Sequence, residues 1–189
     1  MTPPRARLHA GAIASVLLAV SAGTACQAAF DGVQMDTMET KDSLQAAREF
    51  VPRVEAFLET LPIGREKFSV RVNRCEGTEG EQRNDLYYIW VGLQGVAHAQ
   101  DAGRILDDVH ARWNAAGWPV TRYRQLPNGG VNVAATDSET GDAYSLDSGF
   151  DKGPQSYIVG FFNTPCYRSA SGDVQFGEIR QRLDTATAP

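Results

Sequence analysis

Residues 86–93 read LYYIWVGL and residues 156–163 read SYIVGFFN. Both runs are short, rich in aromatic and β-branched residues, and apolar at odd and even positions alike. A half-buried strand alternates apolar with polar. A strand apolar on both sides is central, and is either covered twice or open to a ligand on one face. These two runs are therefore placed in the middle of a sheet, and the other elements are read outward from them.

Before the first run, Phe68, Val70 and Val72 alternate with Ser69, Arg71 and Asn73, which predicts a strand with one buried face, closed by Cys75. Between the two runs lies the most regular helix, Asp101 to Ala116. Its stripe is Ala102, Ile105, Leu106, Val109, Trp113 and Ala116. Gly117 stands where a left-handed C-cap is wanted, Trp118 should fold back on the last turn, and Pro119 prevents continuation. Strands are predicted near 120–126, 131–136 and 143–150, with a hairpin turn at Asn128-Gly129-Gly130. An earlier helix starts at Asp42, with Gln45 at capping-box spacing, and carries Leu44, Ala47, Val51, Val54, Leu58 and Leu61. Pro52 is expected to kink or split it. The order α-β-β-α-β-β-β-β predicts an α+β two-layer sandwich: a mainly antiparallel sheet with two helices on one face.

The first 25 residues read differently. Arg5 and Arg7 give a positive start, Ala10 to Ala22 is an uncharged apolar run, and Gly23-Thr24-Ala25 is a small-residue exit before Cys26. That is the layout of a signal peptide, and the run is short for a membrane span, which needs about 20 apolar residues. Small residues followed by Cys resemble the lipobox of bacterial lipoproteins, although Gly23 stands where that family favours an aliphatic residue. The resemblance implies diacylglycerol on the Cys26 thiol and cleavage just before it. The competing outcome is ordinary cleavage near Ala25 or Ala29, with release of a soluble protein. Residues from Cys26 to Lys41 then form a tether, 42–168 one domain, and 169–189 a polar C-terminal tail.

The chain has three cysteines. An exported protein usually pairs its thiols, and an odd one needs explanation. Pairing Cys75 with Cys166 leaves Cys26 over, at the residue the leader singles out. This pairing also implies that the ends of the first and last of the main strands are neighbours.

Charge excludes one class of partner. Without Arg5 and Arg7 the 18 Lys and Arg fall to 16, against 23 Asp and Glu, a net charge of −7. Nucleic acid is therefore not expected as a partner, because phosphate neutralisation needs clustered cations. Catalytic signals are sparse. Beyond the leader only His98 and His110 remain, too few with the paired cysteines for a structural zinc site. Ser145 and Ser148 lie in a predicted strand and not on a nucleophile elbow. Glu76, Glu79, Glu81 and Asp85, and then Asp137, Glu139 and Asp142, are read as solvated turn charges. No catalytic residue, metal or cofactor is assigned. Tyr88 and Trp90 share one face of their strand and are the candidate binding surface, because exposed aromatic area marks contact sites. Arg122 and Arg124 share a strand face and add a cationic stripe.

The whole pattern is similar to the small envelope lipoproteins of actinobacteria. It comprises a leader ending in Cys, a Cys-terminated strand, a Trp-containing strand, a helix ending at Gly117-Trp118-Pro119, and a last strand running into Thr164-Pro165-Cys166-Tyr167. The resemblance implies a lipid-tethered domain on the outer face of the cytoplasmic membrane, binding an envelope protein, lipid or wall polymer without catalysis. An exported hydrolase is the alternative.

Overall fold

The computed structural model describes residues 38–185, apart from Thr78 and Asp173. The leader, Cys26 and the tether up to Thr37 lie outside the described residues. In chain order the elements are α1 (Ser43–Glu59), β1 (Gly64–Glu76), β2 (Gln82–His98), α2 (Ala99–Ala115), β3 (Val120–Gln125), β4 (Val131–Thr136), β5 (Ala143–Lys152), β6 (Gln155–Asn163), β7 (Tyr167–Arg168), β8 (Gly177–Glu178) and α3 (Arg180–Thr185). The α+β sandwich is present in the expected order, extended at its end by two short strands and a small helix.

The sheet runs β3-β4-β5-β6-β2-β1-β8, with β7 paired to the far end of β2. Its strand pairs are antiparallel. β2 and β6 are interior, joined from Trp90↔Asn163 to His98↔Gln155. β2 is about twice as long as its apolar run, because Gln94 to His98 continue the ladder and lead directly into α2.

One side of the sheet is the core. Ile89, Val91 and Leu93 of β2, Val70 and Val72 of β1, and Ile158 and Phe162 of β6 are buried there. They meet Phe50, Val54 and Leu58 of α1 and Ile105, Leu106, Val109 and Trp113 of α2. Fully burying one such side chain stabilises a fold by about 1.5–3 kcal/mol. The α2 terminus forms as expected. Gly117 has φ +74°, Trp118 N–H donates to the Trp113 carbonyl at 3.0 Å, and the two indoles stack at 5.7 Å.

α1 departs from its sequence reading in three ways. Pro52 lies inside an unbroken helix on its exposed side, where the chain tolerates the lost N–H. The buried stripe is Ala46, Ala47, Phe50, Val54 and Leu58, so Leu44 and Val51 are only half-buried. The Asp42 carboxylate accepts from the amides of Leu44 and Gln45, but Gln45 reaches forward to Glu49 and does not close a capping box.

Cys75 and Cys166 form a disulfide with Cα atoms 6.2 Å apart. The bond brings the end of β1 to the segment that follows β6, although β2 lies between these two strands in the sheet. After β6 the chain passes through Thr164 and Pro165 and continues in the same direction along β2, pairing with Tyr87 and Leu86 as β7. β1 breaks register between Arg74 and Glu76 on the other flank of the same stretch, and Cys75 sits in that irregularity. The segment read as a polar tail packs on the free side of β1: Gly177 and Glu178 pair with Val72 and Arg71, and Ile179 is 1% exposed.

Candidate functional surface

α1 and α2 occupy one face of the sheet and leave the other face open. The pleat sends Tyr88, Trp90, Gly92, Gln94 and Val96 of β2 to this open face, along with Tyr157, Val159 and Phe161 of β6. Trp90 folds along its own strand so that its six-membered ring covers Gly92. A Cβ at residue 92 would overlap that ring. Phe161 lies beside it, with ring centroids 6.1 Å apart, and is 39% exposed. Phe150, opposite Tyr157, is 51% exposed. Tyr88 and Trp90 are themselves half-buried, and Asn73 donates to the Tyr88 hydroxyl at 3.4 Å. The result is an aromatic strip along the two central strands.

Polar groups surround the strip. Arg71 is the cross-strand neighbour of Trp90 on β1 and is exposed. Asn163 is its neighbour on β6, and its buried Oδ1 has no hydrogen-bond partner among the described residues. Arg122 and Arg124 also face this side. Arg122 Nη2 donates to Ser145 Oγ and Asp147 Oδ1, both at 2.8 Å. Arg124 donates to Asn132 Oδ1 at 2.9 Å. These arginines lie away from Trp90 in the sheet. β4, β5 and β6 separate β3 from β2, a distance of about 19 Å at normal strand spacing.

The sequence reading missed Phe161 and Phe150. The signal for Phe161 was present, because a strand apolar on both sides had to leave one side for something other than the helices.

It also mistook Asp142. This carboxylate is fully buried at the start of β5 and takes a two-pronged bond from Arg53 of α1, Nη2 at 2.7 Å and Nε at 3.0 Å. Its second oxygen has no hydrogen-bond partner among the described residues. Burial pushes the Asp142 pKa up, and Arg53 opposes the shift. Burial likewise pushes the nearby Tyr144 hydroxyl up to about 12. Asp137 does remain a turn residue, accepting from the amides of Glu139 and Thr140.

The remaining chemistry-bearing groups do not converge. His98 is an exposed residue at the start of α2. His110 stacks on Tyr123 at 3.8 Å and bonds Asn114. Ser148 is buried and bonds the backbone of Val131. Among the described residues no three His, Cys, Asp or Glu side chains form a group able to hold a metal ion. A polar cleft of about 470 Å³ lies between the start of α2 and the β3–β4 hairpin, lined in part by Gln100, Arg104 and Asn128.

Fold and surface together define a class: a two-layer α+β sandwich with a disulfide and one open, aromatic sheet face. No protein-family model, curated protein or solved structure matches the chain. The disulfide is compatible with export, and among the described residues no helix is long and apolar enough to cross a membrane.

Proposed function

We propose that this protein is an envelope lipoprotein, anchored through acyl chains on Cys26, whose domain is a non-catalytic binding module working through its open sheet face. The observation that carries the binding role is the aromatic strip of Trp90, Phe161 and Tyr88 on the side that the helices leave bare. Antiparallel sheets commonly turn a polar face to water, so aromatic rings at the centre of such a face call for a partner. The anchor is supported by the leader and by the Cys75–Cys166 pairing that leaves Cys26 over. Two or three acyl chains supply the multiple hydrophobic signals that stable anchoring requires.

The anchor is tested by intact-mass analysis and fractionation. The mature protein should begin at an acylated Cys26 and sediment with membranes, and Cys26→Ala should move it to the soluble fraction. An unmodified N-terminus downstream of Cys26 would refute the anchor and leave the binding role standing by itself.

A further inference from the structure

The two margins of the sheet are finished differently. On the β1 side the chain adds β8 across Arg71 and Val72 and buries Ile179, which covers the middle of that edge. On the other side β3 is the terminal strand, and every residue from Thr121 to Gln125 is exposed. The ladder fixes which of its backbone groups are free. Leu126 N–H donates to the Gly130 carbonyl, and pairing alternates from there. Arg124 and Arg122 therefore bond inward to Asn132 and Ala134 of β4, while the N–H and C=O of Tyr123 and Gln125 point away from the sheet. Exposed edges of this kind are templates for another strand.

The side chains state what kind of strand fits. Arg122 and Arg124 lean inward over the sheet, to Asp147 and Asn132, and so leave the edge backbone unshielded. Among the described residues Arg122 bonds through Nη2 and Arg124 through Nε and Nη2, which leaves each guanidinium a further donor there. No residue of β3 is acidic. Antiparallel pairing of two copies about Tyr123 would set Arg122 opposite Arg124 of the other copy, and like charges directly opposite are destabilising. Carboxylates on alternate residues of an added strand would meet both arginines with the favourable sign.

We propose that β3 is a strand-addition site for an extended acidic segment of a partner protein, whose alternating Asp or Glu side chains meet Arg122 and Arg124. This site is separate from the aromatic strip and does not depend on the anchor. In such a complex, backbone bonds hold the segment and the two arginines select its charge.

The test uses the exported protein carrying Cys26→Ser and two capped seven-residue peptides. One alternates Thr with Glu, the other Thr with Lys. Amide hydrogen exchange is followed by nuclear magnetic resonance. The Glu peptide at millimolar concentration should slow exchange at Tyr123 and Gln125 at least tenfold, and the Lys peptide should not. Arg124→Glu should shift the preference towards the Lys peptide. Gln125→Pro removes an outward N–H and no ladder bond, so it should keep the fold and abolish the response. The proposal is overturned if the Glu peptide leaves these amides unprotected, or if both peptides protect them equally. It also fails if protection appears without peptide and grows with protein concentration, because the occupant is then a second copy.

Discussion

Asp142 shows how much one residue can carry. Its carboxylate is removed from water, held by one arginine, and left with an oxygen unbonded. Burial raises its pKa above the ordinary carboxylate value, so the folded state binds this proton more tightly than the unfolded chain does. The stability linked to this group is therefore present below the unfolded pKa of about 4 and is lost as pH rises through the higher folded value. Asp142→Asn should remove that component: the stability difference between native and variant should move against the native protein as pH climbs through this window. Removing the partner acts in the other direction. Arg53→Met strands the charge and should cost about 2–4 kcal/mol at neutral pH, less than a fully buried pair because Arg53 is 38% exposed. That loss should shrink in acid, where Asp142 is protonated. Chemical denaturation at several pH values measures both. A native-minus-variant difference that grows with pH for Asp142→Asn would mean that Arg53 outweighs burial.

At the scale of elements, the β2–β6 pair organises the molecule. Gly92 lets Trp90 lie along the sheet, and Gly160 does the same for Phe162 on the helix side, where a Cβ would come within 2.8 Å of that ring. Gly92→Ala should force the indole off its place and cost about 1–3 kcal/mol, as other overpacking does. In a Trp90→Ala background the same change should cost far less, and a double-mutant cycle in urea reads the coupling. An equal cost in both backgrounds would show that the backbone, not the indole, dictates glycine there. The element order was legible because periodicity and punctuation agreed: alternation in β1, the Ile105–Val109–Trp113 stripe, and Gly117 ending α2. Three features were not legible, each for a local reason. Pro52 sits on the exposed side of α1, where the helix absorbs it, and a sequence does not tell which side a proline takes. Ile179 lies in a mostly polar segment whose few apolar residues, Val174, Phe176 and Leu183 beside it, form no run long enough to mark an element. Asp142 stands among turn carboxylates, and only the fold brings Arg53 to it across 89 positions. Of the candidate surface, Tyr88 and Trp90 were readable from strand alternation, but their separation from Arg122 and Arg124 depends on strand order, which pairing alone decides.

At the scale of the molecule, the chain builds two unlike faces and fixes one end of the sheet. The Cys75–Cys166 bond spans 91 positions, and in the chain-entropy model a loop of that size contributes about 4–5 kcal/mol. That is a large part of the roughly 5–15 kcal/mol typical of a domain. It holds the end of β2 from which the aromatic strip begins. The helix layer covers the core, and the opposite side presents Trp90, Phe161 and Tyr88. The central claim is that this open face is the working surface. It is tested most directly by photo-crosslinking in intact envelopes, with p-benzoylphenylalanine placed at Phe161 in one variant and at Arg48, exposed on α1, in another. The account predicts a discrete adduct from position 161 that is absent from position 48 and is lost when Trp90→Ser is added. Adducts from position 48 with none from position 161 would contradict it and move the working surface to the helices.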